Sequence, residues 1–155
     1  MTLNDPDNLF YLPLSAQATL REEAPTTETR RLTDDDAAAF TAFAELAPED
    51  DLDGAFVELD HWLVFGTFVD GRLAAAASMY PWDGSRLADP GVITLPEFRG
   101  RGLGRVTVRA LCAEAIARGY EPQYRCQIDS AASVALANAA GFVRFGAWEI
   151  IVTDD

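Results

Sequence analysis

The segment FRGRGLGR, Phe98 to Arg105, places glycines at 100, 102 and 104 with an arginine between or beside each. Glycine permits the tight curvature and close backbone approach that an anion needs. A loop leading into a helix offers its unpaired N–H groups at the helix's positive end. Arg99, Arg101 and Arg105 add charge-assisted donors, so the guest this chemistry suits is a phosphate or pyrophosphate. A surface turn carrying solvated arginines is the other reading of such a triplet taken alone. The spacing narrows the guest: a dinucleotide fingerprint needs glycine where Arg105 stands, and a phosphate-binding P-loop needs a lysine, which the chain lacks. What remains is R-x-x-G-x-G over Arg99 to Gly104.

Such a loop needs a strand before it and a helix after it. Val92 to Leu95 (VITL) reads as the strand, and Leu103 to Arg118 as the helix, closed by Gly119. Upstream, Glu28 to Leu32 reads as a short strand. A helix then follows, capped by Thr33, favoured at its positive end by Asp34 to Asp36 and ended by Pro48. EDDLDGAFVEL suggests a second short helix, and two apolar runs flanking Asp70-Gly71 give a hairpin. PWDGSRLADPG is expected to be a loop in which substrate choice resides. Downstream come a strand at Tyr124 to Ile128, a helix at Ala131 to Ala140 ended by Gly141, and one or two strands within Phe142 to Val152. Residues 1–28 are expected to form an arm or an extra strand, with a strand-like piece at Leu9 to Leu14 and then a polar linker, and 29–155 to form the domain. Strands interleaved with helices and a hairpin predict an α/β fold on a mixed sheet.

The formal charge of −13 repels phosphate, which argues against nucleic-acid or anionic-membrane partners and favours a cationic one. No run reaches the roughly 18 apolar residues of a membrane span, and the N-terminus is too polar for a signal peptide, so a cytoplasmic protein is expected. Cys112 and Cys126 lack metal spacing and His61 is the single histidine, so no metal is expected and the thiols read as buried and free.

VITLPEFRGRGLGRVTVRAL resembles the acetyl-CoA-binding signature of the GNAT superfamily of N-acyltransferases, and SAASVALANAAGF (Ser130 to Phe142) resembles its later helix and Gly-Phe corner. The likeness covers roughly residues 29–152. It implies a splayed central sheet of about six to seven strands flanked by about four helices, with acetyl-CoA as cosubstrate. The backbone of Val92, Ile93 and Thr94 would pair with pantetheine, and Arg99, Gly100, Arg101, Gly102, Leu103, Gly104 and Arg105 would hold the pyrophosphate. Ser130 stands where many members have a cofactor-side asparagine, Ala137 where they have a tyrosine that protonates the thiolate, and Arg125 where some place a glutamate base.

The substitutes for those groups each have a bland reading beside the chemical one. His61, an imidazole, suits an amine's base, or is a packed residue beside Trp62. Tyr80, at the end of the second hairpin strand, lies near an acceptor entry or is structural. Glu58 and Asp60 would bind a cationic amine or are solvated, and Trp62, Trp82 and Trp148 line a pocket or pack. The leading expectation is an N-acetyltransferase acting on a cationic small molecule or a protein amine by direct attack in a ternary complex. The alternative is a non-catalytic acyl-CoA-binding or regulatory module. A homodimer is compatible with either, and phosphoryl transfer lacks its lysine and metal ligands.

Overall fold

In the computed structural model, the residues described are 2–3, 7–22, 28–49, 52, 57–81, 84–127, 131–148 and 151–152. For 2–9, 21–22, 125–127, 131–133, 144–148 and 151–152 the description is of the backbone alone. The strands are β1 (Thr2–Leu3), β2 (Asp7–Tyr11), β3 (Thr29–Arg31), β4 (Leu63–Val69), β5 (Arg72–Pro81), β6 (Leu87–Thr94), β7 (Glu121–Gln127), β8 (Val143–Trp148) and β9 (Ile151–Val152). The α-helices are α1 (Leu14–Glu22), α2 (Ala37–Leu46), α3 (Leu103–Ala117) and α4 (Ala131–Ala139). Among the described residues, seven strands make one sheet in the order β3-β4-β5-β6-β7-β2-β8, and β1 pairs with β9.

Every neighbouring pair in the large sheet is antiparallel except β6 and β7, which run parallel. Their register covers only Leu87↔Glu121 and Ala88↔Pro122. Beyond those pairs the two strands part: β6 continues on β5 as far as Ala75↔Thr94, and β7 on β2 as far as Asp7↔Gln127. The sheet is therefore mixed and splayed, and the split runs beside the strand that leads into the glycine loop.

Alternation along the strands sends apolar residues to both faces. Leu63, Phe65, Ala77 and Met79 pack with Val108, Leu111, Cys112 and Ala115 of α3 and with Leu20 of α1. Val64, Ala74, Ala76 and Ile93 pack with Phe43 of α2. Phe142 of the Gly-Phe corner closes the first core against Tyr124, at 5.7 Å between ring centroids, and Phe10 of β2 meets the same tyrosine edge-on at 6.3 Å.

Local signals explain several boundaries. Asp70 (φ 50°) and Gly71 (φ 80°) take the left-handed geometry of a tight hairpin turn. Thr33 caps a 3₁₀ turn, Asp34–Asp36, through a capping box with Asp36, and α2 follows directly. That helix ends at Leu46, because Pro48 forces Ala47 out of the helical region to ψ 141°. Arg30 grips Asp36 with two bonds of 2.9 and 2.7 Å, which holds the Asp36 carboxyl below the usual carboxylate range against the opposing pull of burial.

Strand β2 spans Asp7–Tyr11 and lies inside the sheet as an extra strand. Two elements differ from the sequence expectation: Leu14–Glu22 within the expected linker is helix α1, seated on α3 through Ala16 and Leu20. Strand β6 begins at Leu87, so LADPG belongs to a strand where a loop was expected. The Leu95 N–H donates to the Ala74 carbonyl at 2.9 Å, so strand alternation turns Pro90 toward the side where β6 and β7 part. A missing donor costs nothing there. Most of the expected short helix after Pro48, and Pro25, lie outside the described residues. Among the described residues no helix is long and apolar enough to cross a membrane.

Candidate functional site

The alternation that places Pro90 also sorts the residues expected to meet pantetheine. Leu95 and Ile93 spend their backbone groups on β5, while Val92 and Thr94 turn theirs toward the gap left by β7. Ile93 buries its side chain in the α2-side core. The Thr94 carbonyl accepts the Arg99 Nε at 3.3 Å, so the start of the glycine loop folds back on the strand end.

Phe98, buried at the end of a 3₁₀ turn (Pro96–Phe98), anchors the loop, and the guanidinium of Arg101 lies 5.6 Å from its ring centroid. Gly102, the residue before α3, has φ +74°, a left-handed backbone that costs a side chain roughly 1–2 kcal/mol. Val106 N–H is bonded back to the Gly102 carbonyl, and helix geometry leaves the amides of Leu103, Gly104 and Arg105 at the positive end without intrahelical acceptors. Gly104 serves a different need. A Cβ there would meet Thr94 Oγ1 at 3.0 Å and Leu136 Cδ1 at 3.6 Å, so the missing side chain lets the helix start lie against β6.

The arginines do not act alike. Arg99 and Arg101 are exposed beside the loop, whereas Arg105 donates from Nε to the Ala139 carbonyl at 2.8 Å and Arg109 to the Ala140 carbonyl at 2.7 Å. Two members of the basic cluster thus hold the C-terminal end of α4, where cations are favoured by the helix dipole.

On the opposite, α2-side face a second group gathers. His61 is half-buried, with Nδ1 2.7 Å from Ser78 Oγ, and Nε2 3.8 Å from a Glu58 carboxylate oxygen. Glu58 N–H donates to the same Ser78 oxygen at 3.2 Å, and the His61 ring meets Tyr80 edge-on at 5.0 Å. Ser78 and Tyr80 stand opposite Gly91 and Asp89 of β6. Asp89 in turn accepts a hydrogen bond from Gln123 Nε2 at 3.3 Å, one residue past the last β6–β7 pair. The group therefore borders the point where the strands separate. His61 and Tyr80, both proposed from sequence, are brought together there.

Glu58, Asp60 and His61 each bring one ligand-type atom within 4.8 Å of the others. Both carboxylates are exposed.

Sequence reasoning missed Ser78, hidden as one more small residue after AAAA, and Asp89 and Gln123, whose nearness depends on strand pairing. Trp62 packs on Tyr120 at 4.4 Å rather than lining an open pocket. Ala137 is fully buried in the α3-side core, so no proton donor stands at that position. Cys112 is buried, and desolvation pushes its thiol up to about 12. Ser130 and Trp82, and the side chains of Arg125, Cys126 and Trp148, lie outside the described residues.

The acetyltransferase (GNAT) family model matches residues 26–142. Among solved structures, a putative GNAT-family acetyltransferase from Novosphingobium aromaticivorans superposes with a TM-score of 0.71 at 24% identity, over 96% of this chain and 63% of its own. A GNAT-family acetyltransferase from Colwellia psychrerythraea gives 0.69 at 18% identity, over 96% of this chain and 56% of its own. The ribosomal-protein-alanine N-acetyltransferase from Brucella melitensis gives 0.60 at 24% identity, over 76% and 85%. The chain thus spans less than two thirds of the length of the first two. No curated protein matches it. The family match spans the open strand, the glycine loop and the helix that the loop feeds: the chain belongs to the acetyltransferase (GNAT) family.

Proposed function

We propose that the protein moves an acetyl group from acetyl-CoA to a primary amine by direct attack in a ternary complex. The observation that carries this reading is the parting of β6 from β7 after Ala88, with the glycine loop at the end of the open strand and the His61 group beside the split. Pantetheine, an amide chain, is suited to the gap-facing backbone of Val92 and Thr94, much as an added strand would be. Pyrophosphate is suited to the first amides of α3, with Arg99 and Arg101 as outer charges.

The acceptor enters from the α2-side face, where Glu58, Asp60 and Asp89 favour a cationic amine, on a small molecule or a protein. The amine loses a proton to a group of that cluster and its nitrogen attacks the thioester carbon. A gap-facing N–H of β6 steadies the oxyanion as the N–C bond forms. The C–S bond then breaks and the thiolate leaves, taking its proton from water, since a thiol with an ordinary pKa near 8.5 is a tolerable leaving group. Burial of Ala137 favours a second reading, a module that binds acyl-CoA without turnover.

Initial rates with both substrates varied test the proposal. Direct transfer predicts intersecting double-reciprocal lines, whereas parallel lines would indicate an acyl-enzyme. Binding of acetyl-CoA without acetylated amine would favour the module.

A further inference from the structure

We propose that Ser78 holds neutral His61 in the tautomer protonated at Nε2, which turns that N–H dipole toward the Glu58 carboxylate 3.8 Å away, and that this carboxylate receives the amine proton. Ser78 is 1% exposed, and its hydroxyl has two partners among the described residues, the Glu58 N–H and the His61 Nδ1. A hydroxyl offers one donor and two acceptor lone pairs. The Glu58 amide can only donate, so it occupies one lone pair. If His61 Nδ1 also carried a proton, Ser78 would accept twice, and its own buried O–H would have no acceptor among the described residues, at the full desolvation cost of that donor. With Nδ1 bare, Ser78 accepts from the Glu58 N–H and donates to His61 Nδ1, and the buried hydroxyl is satisfied in both roles.

The neutral ring then carries its proton on Nε2, the nitrogen 3.8 Å from the Glu58 carboxylate. Its one lone pair is already engaged by Ser78, so the ring has no vacant position for a proton from the acceptor. A divalent cation is disfavoured at the same nitrogen, because a metal-bound Nε2 would move the proton to Nδ1, against Ser78. Glu58 is left as the acceptor: its backbone is pinned by Ser78, and its carboxylate lies beside the Nε2 hydrogen and Asp60. In the reaction the amine N–H bond breaks and the proton passes to Glu58 as the N–C bond forms. The C–S bond breaks and the thiolate is protonated by water. This last assignment rests on the proposed amine acylation; the tautomer does not.

His61 is the sole histidine, so its ring nitrogens give an unambiguous long-range proton–nitrogen spectrum. At about pH 8.5, above the ordinary imidazole range, the expected result is an unprotonated Nδ1 and a protonated Nε2. A protonated Nδ1 would overturn the proposal without any variant being made. In Ser78→Ala the two signals should move toward the averaged mixture of free histidine, and in Ser78→Thr, which keeps the hydroxyl, they should stay; an unmoved Ser78→Ala spectrum would remove Ser78 from the role. In turnover, Glu58→Gln should lower kcat by about 10²-fold. His61→Gln, which keeps an N–H donor, should lose roughly tenfold or less where His61→Ala loses more. Equal loss in both His61 variants, or full activity in Glu58→Gln, would contradict the assignment of roles. The spectrum reads the tautomer whether or not the protein turns over, which separates failure of this inference from failure of the proposed reaction.

Discussion

Arg105 Nε lies 2.8 Å from the Ala139 carbonyl, so an arginine of the glycine loop's helix caps a different helix. Its removal should be felt first in stability. Arg105→Gln is expected to lower unfolding free energy by about 0.5–1.5 kcal/mol in urea denaturation, the net worth of one such bond. The change in acetyl-CoA affinity should be smaller than for Arg99→Gln. Unchanged stability in Arg105→Gln would show that the cap contributes nothing.

Gly102→Val places a β-branched residue at φ +74° directly before α3. Among the described residues, no atom beyond its chain neighbours lies within 4 Å of the added Cβ, so the cost comes from backbone geometry, and the loop should relieve it by turning its amides away from the anion. Calorimetry should show acetyl-CoA affinity reduced about tenfold, the equivalent of 1.4 kcal/mol. Wild-type affinity in this variant would detach the loop from pyrophosphate.

The pairing of Arg30 with Asp36 predicts an acid limb in stability. Asp36 has its carboxyl lowered in the folded protein, chiefly by the Arg30 hydrogen bonds, so its contribution is complete above the unfolded value near 3.9 and is lost as pH falls through the lower folded one. Melting temperatures of Asp36→Asn should lie below wild type at pH 7 and converge on it below about pH 4. A constant gap across that range would contradict the linkage.

Cys112, with its thiol raised to about 12 by burial, should be inert to a disulfide reagent in the native protein at pH 8 and react once denaturant is added. Cys126→Ser isolates that thiol. Rapid native labelling of Cys112 in that variant would show that the α3-side core opens.

The loop was legible in the sequence because its chemistry is local: Arg99, Gly100 and Gly102 announce curvature and charge within a few residues. The Thr33 cap and the Asp70-Gly71 turn were legible for the same reason. Helix α1 was not, since among its described side chains only the apolar Ala16 and Leu20 mark its buried side and both depend on α3 for a partner. Asp89, Pro90 and Gly91 carry turn chemistry, and only pairing with β5 makes them a strand. Ser78 and His61 are 17 residues apart and meet because β4, which starts two residues after His61, pairs with β5 at Leu63↔Met79, a relation no periodicity encodes.

Transfer of an acetyl group to an amine is measured as release of CoA thiol from acetyl-CoA with and without a panel of primary amines. The acetylated amine is counted in the same samples by mass spectrometry. The account predicts amine-dependent thiol release matched one for one by acetylated product, greatest for cationic amines at low salt and blunted as salt rises. Binding of acetyl-CoA with no product from any amine, or the best turnover with an acidic acceptor undiminished at low salt, would contradict it.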